Sequence, residues 1–246
     1  MNIYYIYHSC FVVENSEYIL IFDYYKTPRK KKNSININDF VISMDKKVVI
    51  FSSHAHADHF NPDIMKWQEN NPKISYVLSS DIGIKSASKR CYIVSEGDEV
   101  KVEGLDVKVY GSTDAGVSFW VKIGDKIIFH AGDLNWWYWS DDTKEEEDFM
   151  RRKNYYDFMR NSFQKIIRDI KGNKEKINIA FFPVDPRLEE NAFLGGKYFV
   201  QELQPENIIP MHFGKSYSVV KEFCNILEKT GTKGIIINEC LEKLQV

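Results

Sequence analysis

Three of the chain's six histidines fall within His54-Ala55-His56-Ala57-Asp58-His59, directly after the apolar run Val48-Val49-Ile50-Phe51. That run is short and β-branched, so it reads as a buried strand whose end delivers the histidines. In extended backbone His54 and His56, two residues apart, point their rings the same way. Asp58 and His59 follow in the loop, where the chain can turn them toward a second point. Neutral imidazoles and a carboxylate are the donors Zn²⁺ prefers, and to a lesser degree iron or manganese. A single histidine here would read as a residue solvating a loop. Four such donors demand a fold in which other loops arrive at the same place to complete the set.

The rest of the chain reads as two groups of strands with helices between them. Ile3–Tyr7, Phe11–Glu14 and Tyr18–Phe22 are strand-like, with Asn15-Ser16-Glu17 as a turn. Residues 61–70 read as a helix, with Asn61 as N-cap and Pro62 at the first helical position. Ile74–Leu78, Glu99–Val102 and Asp106–Tyr110 are further strands. Val117–Ile123 and Lys126–His130 form a hairpin closed by Gly124-Asp125. Over 143–171 apolar residues recur with helical period at Phe149, Tyr156, Met159, Phe163, Ile166 and Ile170. Ile177–Phe182 returns to strand, Tyr198–Leu203 reads as helix, and Glu206–Pro210 leads to His212. This order suits an α/β (α+β) sandwich of two sheets flanked by helices. Periodicity alone does not separate it from other α/β or α+β folds.

A chain of 246 residues predicts a single domain over 1–246, with a core large enough to need no disulfides. The formal charge of −2 provides no global basic field to recruit nucleic acid. Arg29-Lys30-Lys31-Lys32 is locally basic, in a polar stretch from Lys26 to Asp39 that reads as a solvated loop. The N-terminus lacks a basic n-region and a long apolar core, so no signal peptide is expected. No run approaches the ~20 apolar residues of a membrane span. Cys10, Cys91, Cys224 and Cys240 are scattered with no C-x-x-C spacing, as in a cytoplasmic protein with reduced thiols.

The pattern H-x-H-x-D-H does not stand alone. Gly111-Ser112-Thr113-Asp114 precedes the hairpin, Ala131-Gly132-Asp133 ends it, and Ile208-Ile209-Pro210-Met211-His212-Phe213-Gly214 lies near the C-terminus. In these motifs and their order the chain resembles the metallo-β-lactamase superfamily. Its His8-Ser9 and its Pro210–Gly214 segment are most similar to the branch containing ascorbate-6-phosphate lactonase and N-acyl-phosphatidylethanolamine phospholipase D. The resemblance implies an αββα four-layer sandwich with a long helix inserted around 143–171. It also implies a metal centre in which His54 and His56 hold one ion, Asp58, His59 and His212 a second, and Asp133 bridges them. One departure matters: Ser112 stands where the superfamily places the third histidine of the first ion, and a serine hydroxyl is a poor Zn²⁺ ligand. Asp114 could substitute, solvent could fill the place, or one ion could be held by Asp58, His59, Asp133 and His212. The cofactor is therefore read as zinc, one or two ions, with iron or manganese not excluded.

Around this centre, Trp136, Trp137 and Trp139 follow Asp133 within six residues. They suit either a wall that grips substrate or a seam under the 143–171 helix. Pro186-Arg187 and Gly195-Gly196-Lys197 stand where the nearer relatives carry P-R and G-G-H, so Arg187 or Lys197 is expected to bind an anionic substrate group. His130 reads as a structural histidine, with a donor role toward a ligand carboxylate as the alternative. His8 reads as lining the cleft. The chemistry implied is hydrolysis: a metal lowers the pKa of bound water to roughly 7, giving hydroxide that Asp58 orients toward a small ester, lactone, amide or phosphodiester. No G-x-S-x-G suggests a serine nucleophile. A small-molecule substrate is expected, nucleic acid is not, and a homo-oligomer stays open. Two other readings remain: a degraded site in a metal-binding or scaffold protein, and a di-iron oxidoreductase.

Overall fold

The computed structural model describes residues 1–29, 35–85, 88–139 and 146–246, with backbone alone over 146–152. One seven-stranded sheet contains β1 (Asn2–Tyr7), β2 (Cys10–Glu14), β3 (Tyr18–Phe22), β4 (Lys47–Ser52), β5 (Ser75–Ser79) and β6 (Cys91–Val94) in chain order. The other runs from β7 (Glu99–Val102) through β8 (Leu105–Gly111), β9 (Val117–Ile123), β10 (Lys126–His130), β11 (Ile179–Pro183) and β12 (Asn207–Met211) to β13 (Lys233–Gly234). A final strand, β14 (Glu242–Leu244), returns to the first sheet beside β1. β3 to β6 are parallel, as are β10 to β13. The remaining neighbours are antiparallel.

The strands of the first sheet are apolar at nearly every position because both of its faces are covered. Along β3, Leu20 and Phe22 join the core between the sheets, while Ile19 and Ile21 join a second core on the outer face. The inner core is built from aromatic contacts between the sheets, with Phe11 stacked on Phe181 at 4.2 Å and Phe51 edge-on to Phe119 at 5.3 Å. The outer face is covered by Ile37 and Val41 of α1 (Ile37–Val41) and by Ile64, just ahead of α2 (Trp67–Asn70). On the far side of the second sheet lie α3 (Glu146–Gly172), α4 (Leu194–Leu203) and α5 (Tyr217–Ile226), whose Phe163, Phe199 and Phe223 extend the central core. The layers are thus helix, sheet, sheet, helix, as the motifs imply.

Several local expectations change. Residues 62–66 form a 3₁₀ turn before the single turn of α2, although Asn61 caps it as expected, accepting from the Asp63 amide at 2.9 Å. α4 starts four residues earlier than its apolar period suggests. Gly195 and Gly196 lie inside it because their missing side chains let it press against Asn135 and Phe223. The polar stretch read as a solvated loop ends in the first turn of α1, whose Ile37 and Val41 cover the outer face. Lys30–Lys32 and the expected start of the long helix at 143–145 lie outside the described residues. β6, α5, β13 and β14 had no strong sequence signal. None of the four cysteines forms a disulfide, and among the described residues no helix is long and apolar enough to cross a membrane.

Candidate metal centre

The topology brings several loops to one rim. β1 and the parallel strands β3, β4, β10, β11 and β12 all end there, followed by His8, Asp23, His54–His59, Asp133, Asp185 and His212 respectively. Sites in such sheets form outside the carboxyl ends of the strands. His54 continues from β4, but the chain has left extended geometry: residues 56–59 wind into a turn in which the His59 amide donates to the His56 carbonyl at 2.9 Å. That turn, rather than strand alternation, sets the rings of His54 and His56 edge-on at 4.6 Å and carries Asp58 and His59 to the other side.

Asp133 stands at the middle. Its Oδ1 lies 3.1 Å from His59 Nε2 and 3.5 Å from His212 Nε2, and its Oδ2 lies 3.4 Å from His54 Nε2. Asp58 Oδ2 is 4.0 Å from His212 Nε2. Donor atoms fall into three sets, each within 4.8 Å: His54, His59 and Asp133; His8, Asp58, His59 and His212; and His56, Asp114 and Asp133. Ligands held tetrahedrally at zinc-type bond lengths stand about 3.4 Å apart, so these separations fit a shared cation. Two atoms make the stronger case. His59 Nε2 and Asp133 Oδ1 are buried and face each other, yet neither has a hydrogen-bond partner. Buried polar atoms are rarely left so unless something else satisfies them.

The rings are aimed from behind. Asp23 Oδ2 accepts from His59 Nδ1 at 2.7 Å and from Ser53 Oγ at 2.7 Å. Having given its one proton to Asp23, Ser53 Oγ accepts from His54 Nδ1 at 2.9 Å. Asp185 Oδ2 accepts from His212 Nδ1 at 2.9 Å. Each imidazole therefore spends its Nδ1–H on an outer partner and turns Nε2 inward, the arrangement that supports metal-bound histidine. Sequence reasoning missed Asp23 and Asp185. The available signal was an acidic residue just past a strand end, in Phe22-Asp23 and Val184-Asp185.

Electrostatics follow this geometry. Burial opposes charge on Asp133, but His59, His54 and His212 hold its carboxyl well below the usual range. Asp23 is likewise held down against burial, by His130 and His59. Asp185 is lowered to about 2, His212 and Arg187 outweighing burial. Asp58 is lowered by His8 beside it, against burial and with help from His59. Burial pushes His8 down. It also works against charge on His59, but Asp133 and Asp23 on either side push that imidazole up to about 10. Without a cation, His59 therefore carries a second proton at neutral pH, contributing stability that is lost as pH rises toward 10. A metal must displace that proton. Uptake of a divalent ion by metal-free protein at pH 7.5 should release about one proton per ion. Calorimetry in buffers of differing ionisation enthalpy measures this, and zero release would show that no charged imidazole gives way to the ion.

Three of the eight described non-glycine residues with positive φ lie at the same rim. His8, Asp23 and His212 have φ of +58°, +45° and +65°. Each such residue costs on the order of 1–3 kcal/mol and persists only where its surroundings over-determine it. Asp133 is reached through Gly132, at φ +53°. A Cβ on Gly132 would lie 2.7 Å from Ser53 Cβ, so glycine lets β10 end against the histidine loop.

The remaining sequence candidates separate clearly. Ser112 does not line the cleft. Its Oγ accepts from the Asp114 amide at 3.4 Å, a turn that puts Asp114 forward with Oδ2 3.9 Å from His56 Nδ1. His56, Asp58, Asp114, Asp133, Trp137, Trp139, Arg187 and His212 line a cleft of about 270 Å³. Trp137 donates from Nε1 to the Asp133 carbonyl at 2.9 Å and stacks parallel to Trp139 at 5.9 Å. Arg187 sits over the Trp139 ring, one edge of its guanidinium held by Asp185. Two expectations are corrected. Trp136 turns away from the cleft and packs against Phe163 of α3 and Tyr198 of α4, so the wall and the seam are made by different tryptophans. Lys197 is exposed on α4 over Phe193 and does not line the cleft. His130 is structural: Nε2 donates to the Ser9 carbonyl at 3.0 Å, Nδ1 accepts from the Gly132 amide at 3.2 Å, and the ring stacks on Phe22.

Comparison with known proteins agrees with this architecture. Over 97% of this chain and 97% of its own length, the UPF0173 metal-dependent hydrolase NEQ378 of Nanoarchaeum equitans (strain Kin4-M) is 20% identical. Among solved structures, Igni18, a novel metallo hydrolase from the hyperthermophilic archaeon Ignicoccus hospitalis KIN4/I, superposes with a TM-score of 0.66 at 17% identity, covering 98% of this chain and 97% of that one. CmlA, a diiron β-hydroxylase from Streptomyces venezuelae, gives 0.62 at 9% identity over 94% of this chain and 52% of its own. The family model described as a β-lactamase superfamily domain matches residues 2–148. That match spans more than half of the sequence and includes the His54–His59 loop and Asp133, so the chain belongs to the β-lactamase superfamily domain family and has the metallo-β-lactamase fold.

Proposed function

We propose that the protein is a metal-dependent hydrolase acting on a small molecule, with an ester, lactone, amide or phosphodiester as the bond cleaved. The observation that carries this reading is the pair of buried, unpartnered atoms His59 Nε2 and Asp133 Oδ1, 3.1 Å apart inside a ring of aimed imidazoles. Asp58, His59 and His212 with Asp133 would hold the principal ion, and His54 and His56 with Asp114 and Asp133 a more exposed one. The metal-dependent hydrolase named among the relatives supports the same class. Bound there, a divalent cation supplies Lewis acidity and lowers the pKa of a coordinated water to roughly 7.

The chain's own residues do the rest. Asp58 is ionised and half-exposed at the cleft floor, so it accepts a hydrogen bond from the attacking water and fixes its direction. Trp137 and Trp139 exclude solvent from one wall and offer flat apolar surface. Arg187, anchored by Asp185, keeps unused N–H donors for an anionic substrate group. The cleft volume falls near the lower end of small-ligand pockets, about 300–1,000 Å³, which favours a metabolite over a polymer. Within the superfamily we place the chain nearest the lactonase and phospholipase D branch, on His8-Ser9 and the Pro210–Gly214 turn.

The test is elemental analysis of protein purified without added metal, followed by a panel of esters, lactones, amides and phosphodiesters. Asp58→Asn and His212→Ala should each lower turnover about a hundredfold or more. Hydrolysis persisting in both would locate the activity elsewhere. The di-iron oxidoreductase reading is favoured by the carboxylate of Asp114 beside His56. Iron content with oxygen consumption and no hydrolysis would decide for it.

A further inference from the structure

We propose that His8 is itself a metal ligand, the third imidazole of the position formed by Asp58, His59 and His212, and that it makes this position the tight one. The inference rests on the cation-site reading above but assigns a residue and an asymmetry that neither the motifs nor the family pattern supplies. His8 Nε2 is buried and has no hydrogen-bond partner, and it stands 3.3 Å from Asp58 Oδ2, within the four-residue donor set. Its ring is tilted against that of His212 at 4.2 Å and meets His59 edge-on at 5.8 Å.

The backbone shows that this placement is specified. The His8 amide donates to Tyr5 Oη at 2.9 Å, and its carbonyl accepts from the His212 amide at 3.3 Å. Both histidines are in left-handed backbone, so two strained turns from distant strands are tied to each other where their rings meet. The other position differs in kind. His56 and Asp114 are about half-exposed, and their donor set with Asp133 has two carboxylates to one imidazole. Imidazole-rich sites suit zinc-like borderline ions, while exposed carboxylate-rich ones hold harder ions loosely. His8 therefore makes the centre asymmetric, with one retained ion and one exchangeable ion.

The experiment uses the full chain, stripped with chelator and titrated with Co²⁺ or Zn²⁺ against a chromophoric competitor. Wild type should show a tight and a weak binding step. His8→Asn tolerates the left-handed backbone but supplies a poor ligand. It should weaken the tight step by at least about tenfold, with the weak step unchanged and the visible Co²⁺ spectrum altered. X-ray absorption of wild type loaded with one equivalent of Zn²⁺ needs no variant and should count three imidazoles around the ion. A count of two, or a His8→Asn protein with an unchanged spectrum and tight affinity within about twofold of wild type, would overturn the proposal and leave His8 as a residue that orients Asp58. If wild type takes up no divalent ion at all, the hydrolase reading fails along with it.

Discussion

Asp133→Asn is expected to lose divalent-ion binding and to lower any hydrolytic turnover by roughly three orders of magnitude or more. Asp133 belongs to two of the three donor sets, and its two oxygens face His59, His212 and His54 at 3.1, 3.5 and 3.4 Å. No other acidic residue among those described reaches all three rings. The amide keeps the shape but removes the negative charge, and a neutral amide is a much poorer partner for a dication in a dry site. Its N–H can donate to His59 Nε2 at the existing separation, so the metal-free variant should fold. Metal content after purification, thermal melts with and without chelator, and turnover measure the three parts separately. Full metal content in the variant would remove Asp133 from the centre.

Gly116→Ala should produce the largest loss of stability. Gly116 has φ +64°, and a Cβ there would lie 2.0 Å from the Ser53 carbonyl oxygen and 2.5 Å from His54 Cβ. No rotamer relieves a clash with backbone, so either the loop before β9 or the end of β4 must move. That would break the bond from the Val117 amide to the Ser53 carbonyl, 2.9 Å long, and displace His54 from Asp133. The expected cost is about 4 kcal/mol or more, a fall in Tm of roughly 8 °C or more for a chain of this size. Gly124→Ala is the control. Its φ of +62° is nearly the same, but nothing lies within 4 Å of its Cβ, so it should cost only about 1 kcal/mol. Equal losses in the two variants would show that close approach at Gly116 plays no part.

Much of the fold is legible because the strands of this sandwich carry strong local signals. Tyr18–Phe22 and the hairpin from Val117 to His130 are found with the bounds read from the sequence, since β-branched and aromatic runs ended by Asn or Gly-Asp turns have few other readings. The short elements were not legible. α1 has two buried residues in five, and β13 and β14 pair over two or three residues, too few for any period to show. α4 was cut short because a Gly-Gly pair normally interrupts a helix, whereas here neighbouring side chains occupy the space the glycines leave.

The metal centre divides along the same line. His54, His56, Asp58 and His59 could be named from residue type and spacing at one strand end, and Asp133 and His212 from the resemblance that the surrounding motifs carry. Asp23 behind His59, Asp185 behind His212, the approach of His8 and the forward turn of Asp114 could not. Each depends on which strand ends share the rim, and an alternating pattern says which face a residue occupies, not which distant loop it will meet. Trp136 and Trp137 make the point most simply: adjacent and identical in type, one packs partly buried against α3 and α4 while the other lines the cleft. Sequence by itself determined most strands and the kind of donor in the His54–His59 loop, while the layered fold was implied by the resemblance its motifs carry. Only tertiary packing decided which donors face one another and which carboxylates aim them, because those relations arise from two sheets closing over a shared aromatic core.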